Sequence, residues 1–295
     1  MPDSSKTYRL AWAGYDMEFG RQTCIMGVVN VTPDSFSDGG IFLSCDAAVA
    51  QWEKLAADGA DILDIGGEST RPFSEPVPED EEIRRVVPVI EKLAKRLSIP
   101  ISVDTMKAAV ARRALEAGAA MINDISALRF DPDMAAVAKA FDTPVVLMHM
   151  LGNPKTMQKL PAYDDLIREI RDFLEDAIRQ AVSQGISKSK LIGDPGIGFG
   201  KTVSHNLILI NHIESFASLE VPILVGPSRK SFIRKLLKDE PGEELSPDSP
   251  IVETGTQAAV AAAVLRGAHI VRVHDVANTR ATIRILDAMK AAQYN

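Results

Sequence analysis

Short, nearly continuous apolar runs alternate along the chain with longer amphipathic stretches. Eight runs lie at about 24–29, 62–65, 100–103, 120–123, 144–148, 190–193, 221–225 and 269–273. Runs of this length, with few polar interruptions, predict strands buried on both faces. Between them, helical spacing appears near 46–58, 79–97, 106–117, 132–141, 163–184, 204–218, 229–238 with 251–266, and 277–291. Four helices run into a glycine (Gly59, Gly118, Gly185 and Gly267) that tolerates the left-handed turn ending a helix. Asp131-Pro132 predicts an N-cap followed by proline at the first helical position. Eight βα repeats make this an α/β chain, and eight strands close on themselves. The expectation is therefore a single (β/α)8 TIM barrel, with an open doubly wound sheet as the runner-up. Residues 7–20 alternate weakly around Gly14 and predict a short N-terminal β-hairpin capping the barrel bottom. This divides the chain into a segment over 1–21 and a barrel over 22–295. The acidic, Pro- and Ser-containing stretch 239–250 predicts a surface loop inside the seventh unit.

Bulk properties narrow the function. A chain of 295 residues that is 46% apolar supplies the core of one large barrel. The net charge of −7, without a Lys/Arg run, argues against a nucleic-acid partner. No apolar stretch is long enough to span a bilayer, and the first residues lack a signal-peptide core, so a cytoplasmic enzyme is expected. Cys24 and Cys45 offer neither a disulfide framework nor metal-ligand spacing. Without HExxH or CxxC, a tightly held catalytic zinc is not expected.

In such barrels chemistry gathers at the C-terminal ends of the strands. All eight ends here are polar. The first run leads to Asn30, the second to Glu68, Ser69, Thr70 and Arg71, and the third to Asp104. The fourth ends at Asn123 and Asp124, the fifth at Met148 and His149, and the sixth at Asp194. The seventh leads to Ser228, Arg229, Lys230 and Ser231, and the eighth carries Arg272, His274 and Asp275. One aspartate after a strand reads as a helix cap. Charges of both signs converging on one mouth read as a site, because buried charges need partners. His205, His212 and His269 read as structural or surface residues. The segment from Gly196 to Thr202 resembles a phosphate-binding Walker loop but is one residue short, with Pro195 where a glycine belongs, so nucleotide binding is rejected. It reads instead as a tight loop that brings backbone close to a flat ligand.

In order, the chain contains CIMGVVNVTPDSFSDGG, DIGGESTRP, VDT, NDIS, MHMLGNPKTMQ, DPGIGFGK, GPSRKSF and RVHDV. Together these motifs resemble the dihydropteroate synthase family from about residue 22 to 291. After Arg71-Pro72, where the family often continues with Gly-Ala, this chain has Phe73-Ser74, beside the second-substrate loop. The resemblance implies condensation of 6-hydroxymethyl-7,8-dihydropterin pyrophosphate with p-aminobenzoate, giving 7,8-dihydropteroate and pyrophosphate. It further implies Mg2+, a homodimer and competition by sulfonamides.

For the pterin, the resemblance implies Asp104, Asn123, Met148, Asp194, Phe199 and Lys230. A carboxylate such as Asp194 accepts two hydrogen bonds from an amino-and-NH edge, and Asn123 offers both a donor and an acceptor. Asn30, Arg272 and His274 are implied for pyrophosphate, with Asn30 also helping to hold Mg2+. Phe36, Thr70, Arg71, Pro72 and Ser231 are implied for p-aminobenzoate. Asp104, Asp194, Lys230 and Arg71 are the implied catalytic set. Two rival readings stand beside it. A corrinoid methyltransferase shares a pterin-binding barrel but does not need the VTPDSFSDGG segment or the Ser228–Ser231 cluster. A degenerate pterin-binding paralogue would bind without turnover.

Overall fold

The computed structural model describes residues 6–30, 41–69, 76–158, 161–238, 240 and 245–292, with the side chains of 29, 30 and 41–47 outside that description. A hairpin opens the fold: strand β1 (Tyr8–Trp12) pairs antiparallel with β2 (Tyr15–Phe19). Eight strands follow: β3 (Cys24–Asn30), β4 (Ile62–Gly66), β5 (Ile101–Asp104), β6 (Met121–Asp124), β7 (Val145–Met148), β8 (Leu191–Asp194), β9 (Leu224–Val225) and β10 (Ile270–Val273). All their pairings are parallel, in the order β8-β7-β6-β5-β4-β3-β10-β9. A bridge from Gly193 to Ile223 closes the ring between β8 and β9. The helices between strands are α1 (Ile41–Asp58), α2 (Glu79–Ala94), α3 (Ala108–Glu116), α4 (Met134–Ala140), α5 (Leu166–Ser183), α6 (Val203–Asn211), α7 (Ser231–Leu237), α8 (Pro250–Leu265) and α9 (Val276–Ala291). The expected (β/α)8 barrel with its hairpin is the observed fold.

Strand parity sorts the core into two layers. Ile25, Leu63, Ile101, Ile122, Val145, Leu191 and Val271 belong to the outer core shared with the helices. Their neighbours Met26, Ile62, Met121, Val146, Ile192, Leu224 and Ile270 form a separate apolar cluster. Successive side chains on a strand point to opposite faces, so this second set fills the barrel interior. Leu10, Trp12 and Phe19 of the hairpin belong to the same inner cluster. Trp12 Nε1 also donates to the Ala120 carbonyl at 2.6 Å. The hairpin thus caps the N-terminal end of the barrel, as the weak alternation over 7–20 predicts.

Several boundaries differ from the sequence expectation. The strand expected over 221–225 shrinks to Leu224–Val225, because Pro222 has no N–H to donate. The helix expected over 204–218 divides into α6 and a 3-10 stretch, Ile213–Leu219. Asp131 is a cap, but for another helix. Its Oδ2 accepts from the Ala108 N–H of α3 at 2.7 Å, while α4 begins only at Met134. The four glycines after the helices all have positive φ, from 94° to 113°.

Candidate active site

Two residues further along the inward-facing parity, apolar side chains give way to polar ones. Ile62 is followed by Asp64, Met121 by Asn123, Ile192 by Asp194 and Ile270 by Arg272, with Asp104 at the same level on β5. All but Arg272 are buried, and Arg272 is largely covered. The apolar floor thus supports a charged layer beneath the mouth.

Arg272 organises that layer. Its Nε donates to Asp64 Oδ2 at 2.6 Å, and its Nη2 donates to Asp104 Oδ2 at 2.8 Å. Asp64 Oδ2 also accepts from Asn123 Nδ2 at 3.0 Å. The second oxygens of both acids, Asp64 Oδ1 and Asp104 Oδ1, are buried without a hydrogen-bond partner. Such acceptors are costly unless a donor arrives. Burial pushes the Asp104 carboxyl up most strongly, Asp64 and Glu82 push the same way, and Arg272 and Lys230 only partly oppose them. Its pKa stands at about 7. Asp194 is lifted to about 6 by burial, against the Gly196 N–H and the cations Lys230, Lys201 and Arg272.

On the other side of the mouth, the DPGIGFGK loop leaves β8. Asp194 Oδ1 accepts from the Gly196 N–H at 2.7 Å. Gly196 has φ +73°, and a Cβ there would lie 1.9 Å from the His149 carbonyl oxygen. Lys230 Nζ stands 4.1 Å from the centroid of the Phe199 ring, a cation–π contact. Gly198 makes room for it, since a Cβ there would meet Lys230 Cδ at 2.9 Å. Met148, Met150, Met157, Ile125 and Phe199 form an apolar cluster with Met106 packed against it. Polarizable methionines of this kind suit contact with a flat ring.

The loop after β9 supplies a third wall. Arg229 adopts φ +59° while its N–H donates to Thr256 Oγ1 at 3.1 Å. This uncommon conformation lies between Ser228 and Lys230. Ser228 Oγ lies 2.9 Å from His274 Nδ1 and accepts from the His274 N–H at 3.2 Å. Ser231 opens α7 and lines a cavity of about 410 Å3 together with Gln158, Lys201 and Lys235. After β4, Lys107 bridges Glu68 and Glu82, and Arg85 Nη1 donates to the Gly67 carbonyl at 2.9 Å. These bonds fix Gly67 and Glu68, just past β4.

Of the residues expected from sequence, Asp104, Asn123, Met148, Asp194, Phe199, Lys230, Ser231, Arg272 and His274 all fall on the C-terminal side of the barrel. Asn30 ends β3 and pairs with Gly66, but its side chain lies outside the described residues. Phe36, Thr70, Arg71 and Pro72, like Phe73-Ser74, also lie outside them. Buried charges that sequence reasoning missed include Asp64 and Lys201. Asp64 lies inside the run ILDI, not past its end. Its signal was a charge at inward-facing parity inside a strand. Lys201 lies in the segment that reads as a tight loop and carries no role of its own in that reading. It is buried, lies 3.0 Å from His149 Nδ1 and donates to the Phe199 carbonyl at 2.9 Å. Burial lowers its pKa to about 7, with Lys230 acting the same way and Asp194 opposing.

A closed barrel with buried acids, an arginine and a methionine-lined wall at its mouth defines the class. A family profile described as "Pterin binding enzyme" matches residues 26–274, and the chain belongs to that family. Within it, the chain falls among the dihydropteroate synthases, the folate-pathway enzymes that make dihydropteroate. The dihydropteroate synthase of Synechocystis sp. is 46% identical over 272 residues, covering 92% of this chain and 92% of that protein. The Xanthomonas albilineans dihydropteroate synthase solved with 4-aminobenzoic acid is 44% identical, with a TM-score of 0.88, covering 98% of this chain and 100% of that one. The same enzyme in complex with 7,8-dihydropteroate is 43% identical, with a TM-score of 0.84, covering 97% and 100%.

Proposed function

We propose that this chain condenses 6-hydroxymethyl-7,8-dihydropterin pyrophosphate with p-aminobenzoate by a dissociative route, using the residues assembled at the mouth. The observation that carries the reading is the buried carboxylate oxygen Asp104 Oδ1, left without a donor beside Arg272. A pterin supplies the ring N–H groups that such acceptors require.

In this reading Asp194 accepts from the amino-and-NH edge, Asn123 engages the neighbouring edge and Asp104 sits beside the ring nitrogens. Met148 and Phe199 pack against the pterin plane. Lys230, already over Phe199, reaches the pterin carbonyl and borders the second substrate. Arg272 and His274 receive the pyrophosphate, to which a guanidinium donates in a fork. The C–O bond to pyrophosphate breaks first, leaving a cationic pterin-methylene. The carboxylates of Asp104 and Asp194 stabilise that charge as fixed anions in a partly dry pocket. The p-aminobenzoate amine then attacks the methylene carbon and loses a proton. Ser231, at the start of α7, holds its carboxylate, and Phe36, Thr70, Arg71 and Pro72 complete that subsite. Sulfonamides, which resemble p-aminobenzoate, compete there.

Mg2+ belongs to this reading as a partner of pyrophosphate. Among the described residues no three His, Cys, Asp or Glu side chains gather into a metal cage. The ion in this reading is held chiefly by phosphate oxygens and water, with Asn30 adding one amide oxygen. Bound there, Mg2+ supplies charge neutralisation of the leaving pyrophosphate. A homodimer is also part of the proposal. Helices α6 and α8 expose Leu207, Ile208, Ile251 and Leu265, which a partner would cover. The cytoplasm remains the expected compartment. Among the described residues no helix is long and apolar enough to cross a membrane.

The deciding experiment measures pyrophosphate release from the pterin substrate with Mg2+, with and without p-aminobenzoate. Release that requires p-aminobenzoate and forms dihydropteroate supports the reading. Binding of the pterin without turnover would point to a degenerate paralogue.

A further inference from the structure

We propose that Asp64 is a positioning residue for this reaction: a single carboxylate oxygen, reached by Asn123 from one side and Arg272 from the other, sets the spacing between the pterin-facing amide and the pyrophosphate-facing guanidinium. The inference rests on the function proposed above and deepens it.

The geometry is specific. Asp64 is fully buried on β4, between β3 and β5. Its Oδ2 accepts from Arg272 Nε at 2.6 Å and from Asn123 Nδ2 at 3.0 Å. Arg272 stands on β10 and Asn123 on β6, so this one atom links opposite flanks of the mouth. Arg272 commits a second edge, Nη2, to Asp104, while its Nη1 makes no hydrogen bond among the described residues. Two acids therefore hold the guanidinium in a fixed plane and leave one edge for an anion. Arg272 drawn toward Asp104 alone would neutralise the carboxylate that faces the cation. Asp64 divides its attention. A group that merely balanced the arginine's charge would have no reason to share its oxygen with Asn123.

The chemistry selects the variants. Asp64→Asn preserves shape, and its amide oxygen can accept both hydrogen bonds, but it removes the charge and puts an N–H donor where the unpartnered Oδ1 stood. Asp64→Ser is too short to reach either partner. We expect wild-type enzyme to turn over. Asp64→Asn should raise the KM for the pterin pyrophosphate about tenfold while kcat and the p-aminobenzoate KM change by less than about threefold. Asp64→Ser should lower kcat/KM for the pterin pyrophosphate about 100-fold, the scale expected when reacting groups shift by an ångström. Calorimetry with 6-hydroxymethylpterin, which lacks pyrophosphate, should show weakened binding in Asp64→Ser, because Asn123 loses its anchor. In an Asn123→Ala background, Asp64→Ser should cost that pterin little further affinity.

The inference is overturned if the wild type is active and Asp64→Ser, shown folded by its melting curve, keeps kcat/KM within about twofold of it. It is equally overturned if Asp64→Ser binds 6-hydroxymethylpterin normally, since Asp64 would then serve Arg272 alone. If Asp64→Ser does not fold, Asp64→Asn decides, and wild-type kinetics in that variant make Asp64 purely structural. An inactive wild type would instead refute the function on which the inference rests.

Discussion

Asp104 illustrates the residue scale, because its environment works against its charge. Its folded pKa of about 7 lies well above the ordinary carboxyl value of 3.8, with burial as the main cause. A raised carboxyl pKa means that the folded state binds the proton more tightly than the unfolded chain does. The stability cost is therefore absent below about pH 4, grows between pH 4 and 7, and is full above pH 7. Asp104→Asn should accordingly gain Tm relative to the wild type at pH 8 compared with pH 4, by a few degrees in ligand-free protein. The same substitution should lower kcat about 100-fold or more, because a fixed anion facing the developing cation is gone. In the wild type, kcat/KM should fall as pH drops through about 7, as the carboxylate takes up its proton. A flat acid limb in the free-enzyme profile would remove Asp104 from the catalytic set.

At the scale of elements, loops and caps decide where those residues stand. The turn after β8 works because Gly196 lets backbone meet backbone. With a Cβ at 1.9 Å from the His149 oxygen and φ +73°, Gly196→Ala has no unstrained solution. It should destabilise the protein by about 2 kcal/mol or more, seen in denaturant melts, and weaken pterin binding, because Asp194 loses its backbone donor. Asp131 works at a distance. It caps α3 from the loop before α4, through the Ala108 N–H. Asp131→Ala should cost about 1 kcal/mol with kinetics unchanged, the usual effect of losing a cap. A change in KM there would tie that cap to the site.

Across the whole molecule, the barrel separates support from chemistry. The bottom is sealed by the hairpin, and the top carries the charges. Trp12 fills the floor and donates to Ala120 on the approach to β6. Trp12→Ala should cost about 3–5 kcal/mol. Both substrate KM values should stay near wild type at temperatures where the variant is folded, because the apolar floor lies between hairpin and mouth. Coupled loss of affinity and stability would mean that the floor also sets the mouth's shape.

The order of strands and helices was legible in the chain, because eight apolar runs, each followed by an amphipathic segment and four of those segments closed by a glycine, leave few ways to bury both faces of every strand. The mouth was legible too: Asp104, Asn123, Asp194, Lys230 and His274 follow or end apolar runs, and Arg272 stands one residue before the end of its run, where a barrel gathers its chemistry. Asp131 was readable as a cap, but not as the cap of α3, because its partner lies 23 residues earlier. Asp64 lies inside the strand run 62–65, and Lys201 in the segment that resembles a phosphate loop, so neither stands out in the chain. What makes each of them part of the site is burial beside opposite or complementary groups from distant strands: Arg272 208 residues from Asp64, and His149 52 residues from Lys201. Local pattern specifies which face a residue takes, because that depends on its own strand's period. Which charge meets which depends on barrel closure, and only the tertiary structure decides it.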